Sequence, residues 1–540
     1  MERLSVGQLA AGTVEGYSSE GLGIVRIGGA VVFVPRAVRG ETVKLRITKV
    51  MKTCYAGEIV EIPEPSPERR EPDCPVFGRC GGCVYRHMSY AEELRAKRQK
   101  VQDALTRIGG LDLAVEEILG AEHPLHYRNK AQYPVGADGT VGFYRQRSHQ
   151  VVPAEECRIC HPAAGRCAGA VRAWMKKYGV APYDERTGKG LVRHVYVRTN
   201  RKGESLCCVV LNGKSAPREP ELAAMILAAA PQTVGIVLNS NPRRTNVVLG
   251  EKYRTLWGQD FLMDELCGLS FKLSVPAFYQ VNREQAEALY AKAVEFAGLT
   301  GTETVLDLYC GAGTITLTMA KRAGRAIGAE IVPQAVENAR ENAARNGAEN
   351  VEFFCGDASD VAAKLERDGL RPDVICVDPP RKGLAPEVIV SAAGMSPRRI
   401  VYVSCDPATL ARDLKRFGEL GYRAVRAAAA DLFPGTCHVE TVVFLSQQKP
   451  DDTIEIDLDL DELDATTAET KATYEEIKAY IWDKHHLKVS SLYISQVKRK
   501  CGLEVGQNYN LSKSENPKVP KCPPEKEAVI MGALKHFQMI

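Results

Sequence analysis

One thiol and several carboxylates stand at the ends of apolar runs in the second half of this chain. TVLDLYCGAGTITL (304–317) reads as a strand, a glycine-rich turn and a helix. Glycines in such a turn let backbone amides approach a ligand closely. The turn lacks both the lysine of a phosphate-binding loop and the third glycine of a dinucleotide fingerprint. The next apolar run, AIGAEI, ends in Glu330; VEFFCGD ends in Asp357 and VICVDPP in Asp378. Each acid alone is explained as well by a helix cap or a turn. As a set, three successive strand-tip acids line the crevice where open α/β sheets bind ligands, and an acid on the second strand can take both ribose hydroxyls. VYVSCDPATLARD adds Cys405 at a strand end in the same crevice, and HVETVVFL places Glu440 just before the last strand. The polar setting of Cys405, SCDP, is unlike that of a buried structural thiol. Cys437 reads as structural.

A second group of thiols lies upstream. CPVFGRCGGC spaces Cys74, Cys80 and Cys83 as C-x5-C-x2-C, and ECRICHP supplies Cys157 and Cys160. Three sulfurs on one tight loop need a fourth ligand, and zinc and an iron–sulfur cluster both satisfy that chemistry. Spacing alone slightly favours zinc.

The surrounding elements must position these groups. The chain has 540 residues, 45% apolar and 26% charged, which excludes wholesale disorder and suggests three or four domains. Residues 1–62 alternate glycine turns with β-branched runs and predict a small barrel of the oligonucleotide-binding type. Residues 63–270 form a central region that opens on a proline-rich, charged segment and a basic amphipathic helix (90–109). Its strands, such as GLVRHVYVRTN and VGFYRQRSHQVV, interleave Arg and Lys with Tyr, Phe and His. That interleaving suits a surface gripping phosphates and stacking bases, though a solvated sheet face explains any one strand. Residues 271–447 alternate helix and strand, so a parallel sheet covered by helices is expected. DDTIEIDLDLDELD (451–464) carries eight acids and no basic residue, an acidic linker within 448–468. Residues 469–540 read as a helical tail. Thr473 and Glu476 make a capping-box pattern, and the second helix carries Lys498, Arg499 and Lys500 together. The tail could grip nucleic acid or be a plain three-helix bundle.

The glycine turn, the acidic second strand and the DPP motif resemble class I S-adenosylmethionine-dependent methyltransferases, a Rossmann-like α/β fold. DPPR differs from the DPPY of amino-group methyltransferases acting on adenine. Combined with SCDP, the ETVVF strand and FYQVN (278–282), these motifs resemble the RNA uracil-5-methyltransferase family over roughly residues 1–446. The resemblance implies a nucleophile, Cys405, that adds to uracil C6, and a base, Glu440, that removes the C5 proton. It assigns S-adenosylmethionine contacts to Gln280, Tyr309, Thr314, Glu330, Asp357 and Asp378, and lets Phe278 stack on a flipped base. Tyr309 and Thr314 stand where the family often has Phe and Asn. Arg381, Lys382 and His438 are candidates for activating the thiol. The resemblance also turns the upstream thiols toward a [4Fe–4S] cluster held by Cys74, Cys80, Cys83 and Cys157, with Cys160 in reserve. The cluster and a barrel resembling the TRAM domain point to 23S rRNA as partner rather than to transfer RNA; a non-catalytic RNA-binding assembly factor is the other alternative.

The net charge of only +4 decides nothing about nucleic acid, no apolar stretch is long enough to span a membrane, and an odd count of 17 cysteines points to a reducing cytoplasm. A monomer is expected.

Overall fold

The computed structural model describes residues 3–154, 156–448, 473–501, 503, 522–537 and 539. They fall into two compact units, Met1–Asp451 and Asp452–Ile540. The acidic run expected as a linker lies outside the described residues. Among the described residues no helix is long and apolar enough to cross a membrane.

Five strands, Leu9–Tyr17, Gly23–Ile27, Ala30–Val34, Thr42–Val50 and Tyr55–Glu64, close into a barrel. Alternate side chains point inward, so Val14, Val25, Val32, Val34, Val43, Leu45 and Ile47 fill its interior. Closure leaves no free sheet edge. Gly23 sits at a close approach of the wall, because a Cβ there would meet Ala37 Cβ at 2.7 Å.

The central region holds a five-stranded sheet, in the order Lys252–Gly258, Thr233–Ser240, Ser205–Leu211, Val192–Thr199, Lys130–Pro134. Here the expectation of a basic, aromatic RNA-gripping surface fails for its most suggestive strand. Val192–Thr199 is buried at every position, Arg193, His194, Tyr196 and Arg198 included. A buried guanidinium must find acceptors. Arg193 donates to the carbonyls of Asn241 and Arg243, both at 2.6 Å, and Arg198 to those of Val275 and Ala277. The arginines of this strand tie core loops together. Exposed basic residues remain on the hairpin of Gly142–Tyr144 and Val151–Pro153, whose tip carries Arg145, Arg147 and His149.

The third sheet has eight strands, in the order Val351–Cys355, Arg325–Glu330, Thr304–Leu308, Val374–Val377, Arg399–Ser404, Glu440–Gln447, Tyr422–Ala430, Val115–Leu119. The first five are parallel, and Glu440–Gln447 runs antiparallel to its neighbours on both sides. Helices cover both faces, which explains why the inner strands read as unbroken Val, Ile and Leu runs. The eighth strand, Val115–Leu119, comes from far upstream and brings with it the helix Tyr90–Arg107, capped by Ser89.

The second unit is a set of three helices, Tyr474–His485, Ser491–Lys500 and Pro524–His536, around Ile477, Ile481, Ile494, Val497, Ile530 and Leu534. The expected capping box forms: Thr473 N donates to Glu476 at 2.7 Å and Glu476 N donates to Thr473 Oγ1 at 3.3 Å. The basic run does not form one face. Lys498 is buried with its ammonium over the Tyr474 ring, Lys500 pairs with Glu527, and Arg499 is exposed.

Candidate active site

The parallel strands carry their terminal residues to one crevice. Val377 pairs with Tyr402, so Asp378 and the end of Arg399–Ser404 lie together. Ser404 pairs with Thr441 across the antiparallel ladder. Cys405 follows the first of these strands and Glu440 opens the second, so register alone sets thiol and carboxyl side by side. Asp406 then caps the helix Pro407–Glu419, accepting from Ala408 N at 2.9 Å and Thr409 N at 3.1 Å. That cap fixes the turn on which Cys405 sits.

The electrostatics of this pair run opposite to the activation expected from the sequence. Burial, then the neighbouring Glu440 and Asp378 carboxylates, push the Cys405 thiol up to about 11, with Arg381 pulling the other way. Burial, then Asp378, push Glu440 up to about 8, again against Arg381. Burial raises Asp378 itself to about 7. At pH 7 such a thiol is ionised in only about one molecule in 10⁴. Of the three groups expected to activate the thiol, Arg381 acts on it in the expected direction. Burial pushes His438 down to about 4, so it is neutral near pH 7 and supplies no charge.

The residues assigned to the methyl donor gather along the same strand ends. Tyr309 follows the strand Thr304–Leu308 with a left-handed φ of 71°, a costly conformation for a bulky residue and a mark of functional constraint. Thr314 opens the helix after the glycine turn and hydrogen-bonds Tyr290 Oη at 3.1 Å. Glu330 accepts from Gly311 N at 3.1 Å and Val332 N at 2.9 Å, so in this state it braces the glycine turn. Asp357 caps the helix Ala358–Arg367 and is held below the usual carboxylate range, chiefly by the Ser359 hydroxyl and amide. Gln280 lies partly buried, its carbonyl accepting from Asn129 Nδ2 at 2.8 Å, while Phe278 is 65% exposed beside it.

Two residues escaped the sequence reading. Tyr290, fully buried on the helix Arg283–Ala297, hydrogen-bonds both Thr314 and Gln280 and lies close enough to Asp378 to feel its charge. Asp307, buried inside the strand before the glycine turn, takes one bond from Thr316 Oγ1 at 2.5 Å and leaves Oδ1 without a protein partner. An acid in the apolar run TVLDLY was the available signal. Nothing marked Tyr290, whose helical spacing is that of core.

The upstream thiols converge on a separate cavity of about 270 Å³. Cys74, Cys80, Cys83, Cys157 and Cys160 line it, with Arg86, Arg128 and Arg158. Burial first, and with it the nearby Cys157, raise the Cys80 and Cys83 thiols, whereas Cys160 is buried and hydrogen-bonds Cys157. Among the described residues no group of three or more His, Cys, Asp or Glu side chains is arranged to hold a metal ion.

Comparison with known proteins follows this geometry. Residues 89–448 match the family model described as tRNA (uracil-5-)-methyltransferase. An uncharacterized RNA methyltransferase of Clostridium tetani is 42% identical over 437 residues, 80% of this chain and 95% of the relative. Another, of Halalkalibacterium halodurans, is 42% identical over 438 residues, 80% of this chain and 96% of the relative. Among solved structures, the Pyrococcus abyssi tRNA (uracil-54, C5)-methyltransferase in complex with S-adenosyl-L-homocysteine is similar with a TM-score of 0.66 and 25% identity, over 81% of this chain and 100% of that one.

Proposed function

The chain belongs to the tRNA (uracil-5-)-methyltransferase family, and from that premise we propose that it methylates C5 of a uridine in 23S rRNA through a covalent adduct on Cys405. The observation that carries the chemistry is the register of Ser404 with Thr441, which brings one thiol and one carboxyl together in the crevice. S-adenosylmethionine, when bound, supplies an electrophilic methyl group on a sulfonium. Cys405 loses its proton to solvent and adds to C6 of a base flipped out of its stack, giving C5 the electron pair it needs to take that methyl. Glu440 removes the C5 proton, the C6–S bond breaks, and Cys405 leaves as a thiolate. Gln280, Thr314, Glu330, Asp357 and Asp378 orient the donor, Tyr309 stacks against it, and Phe278 stacks on the base. A cation among Asp378, Glu440 and Cys405 would favour loss of the protons those groups hold.

The closed barrel and the thiol-lined cavity support ribosomal RNA as substrate, because the resemblance ties both features to that branch. A TRAM-type barrel would grip the RNA. The cavity suits a [4Fe–4S] cluster held by Cys74, Cys80, Cys83 and Cys157. A single zinc needs its sulfurs about 2.3 Å from one point, whereas a cube of iron and sulfide spreads its ligands around a larger body. The cluster's role would be structural, since methylation is redox-neutral. A cytoplasmic setting fits the free thiols. The printed substrate of the Pyrococcus structure supports transfer RNA as the second reading.

A trapping assay tests both. Protein purified without oxygen is mixed with S-adenosylmethionine and RNA containing 5-fluorouridine, whose fluorine cannot leave as a proton. A denaturation-resistant adduct on Cys405 is expected with 23S fragments and not with transfer RNA. An adduct with transfer RNA alone would overturn the substrate; none with either RNA would overturn the covalent route.

A further inference from the structure

Glu440 is delivered by a nine-residue loop, 431–439, that joins the strands Tyr422–Ala430 and Glu440–Gln447. A loop of this length spends few of its backbone groups on its own strands. Here its carbonyls accept from elsewhere in the chain. Phe433 O takes Lys97 Nζ at 3.1 Å, Pro434 O takes Tyr127 Oη at 3.0 Å, and Cys437 O takes Lys100 Nζ at 2.9 Å. Gly435 O accepts from Val84 N at 2.7 Å and Tyr85 N at 3.0 Å, directly after the C-G-G-C turn. The amide of Gly435 donates to Glu93 Oε1 at 2.6 Å. At the loop's start, Asp431 Oδ1 and Oδ2 accept from Lys97 Nζ at 2.6 Å and Tyr90 Oη at 2.9 Å. Lys97 also binds Glu93 at 2.6 Å, and the side chains of Lys97 and Asp431 are fully buried.

We propose that Lys97, with Glu93 and Asp431, is a positioning group for the catalytic carboxyl: it locks the loop 431–439 to the helix Tyr90–Arg107 so that Glu440 opens its strand beside Cys405. The buried ion set is an expensive way to gain stability, since apolar residues of similar volume usually do as well. Its value lies in geometry. One ammonium fixes two carboxylates and a loop carbonyl at once, and each of those is tied in turn to the loop that ends in Glu440. The same loop abuts the thiol cavity, where a Cβ on Gly435 would lie 3.5 Å from Cys83 Sγ.

This rests on the assignment of Glu440 as base, and the test separates the two. Lys97→Met is assayed as the full chain for S-adenosylmethionine binding, for kcat and KM, and for adduct formation and release. Adduct formation on 5-fluorouridine needs Cys405 and not the base, so it should survive. Proton removal needs the carboxyl in place, and a misplacement near 1 Å costs about 10²-fold. The expected result is therefore a kcat lower by about 10²-fold, with donor binding unchanged and the covalent intermediate accumulating on ordinary uridine. A folded Lys97→Met protein with wild-type kcat would overturn the proposal. So would a loss confined to KM. Where Lys97→Met fails to fold, Glu93→Gln keeps an acceptor for Lys97 and Gly435 but removes the charge, and wild-type kcat in that variant overturns it equally. If Glu440→Gln itself turned over normally while Lys97→Met did not, the base assignment would fall, and with it the positioning role proposed for Lys97.

Discussion

The crevice thiol Cys405 and the cavity thiol Cys83 are the same atom, both held up by burial, on different kinds of backbone. Cys405 sits at the end of a parallel strand, fixed by ladder register and a helix cap, and its charged neighbours include the acids Asp378 and Glu440. Cys74, Cys80, Cys83 and Cys157 sit on loops, and arginines stand beside them. Burial first, then the neighbouring acids, keep the Cys405 thiol protonated, with Arg381 pulling the other way. Burial first, then Cys157, push the Cys83 thiol of the cavity up to about 12, with Arg86 pulling the other way, so a metal bound there would have to displace protons. Regular structure serves the group that must meet a substrate at one distance. Loops would suffice for the proposed cluster, since the bound body would itself complete that part of the fold.

The largest effect should come from the crevice. Cys405→Ala removes the only route to a C5 carbanion in the proposed chemistry and should cut methylation on the order of 10⁴-fold or more, with donor binding measured by calorimetry unchanged. Retained turnover would mean that the crevice thiol is as structural as those of the cavity. Glu440→Gln should cost on the order of 10²–10⁴-fold, and the adduct should accumulate on ordinary uridine, visible as a shifted band under denaturing conditions. A normal rate would place the base elsewhere.

The cavity predicts a different signature. Cys83→Ser should remove iron and acid-labile sulfide from anaerobically purified protein. Because metal binding is folding free energy, the melting temperature should fall by about 2–4 °C per kcal/mol of binding lost. Trapping in the fraction that stays folded should still label Cys405. Full iron with normal melting in this variant would take Cys83 out of the ligand set.

What the sequence made legible follows the same division. Glu330, Asp357, Asp378 and Cys405 could be placed because parallel strands deliver their last residues to one edge, and apolar runs mark where strands end. Glu440 sits at the start of an antiparallel strand, and only resemblance singled it out before the ladder showed its partner. The strand Val192–Thr199 misled because alternating Arg, His and Tyr looks the same whether a face is wet or dry. Its acceptors are carbonyls of loops about 50 and 77 residues away, which no local pattern reports. Lys97 was invisible for the same reason, since its partner Asp431 lies 334 residues on. The tail's KRK run looked continuous in sequence, but helical rotation buries Lys498 and exposes Arg499.

The smallest effect sharpens the electrostatic half of the comparison. In the proposed chemistry Glu440 serves as a base only when deprotonated, and burial, then Asp378, keep its proton on up to about pH 8. The rate constant kcat/KM for RNA, measured at low donor concentration, should therefore rise on the order of a hundredfold per pH unit below about pH 8, where Glu440 and Cys405 both hold their protons, and about tenfold per unit from there toward about pH 11. Arg381 lowers both Glu440 and Cys405. Replacing it by glutamine removes a positive charge from beside two groups that must lose protons, so both titrate at higher pH and the whole limb moves to the alkaline side. At neutral pH the variant should then lose up to about tenfold, the effect of one pKa unit, while approaching the wild-type plateau at high pH. Arg381 also faces a polyanionic substrate, and loss of a phosphate contact would lower the profile at every pH without moving its limb. The position of the limb, rather than its height, is the quantity to read. A limb that stayed put would leave Arg381 as an RNA contact and would mean that its charge does not offset the acids of the crevice.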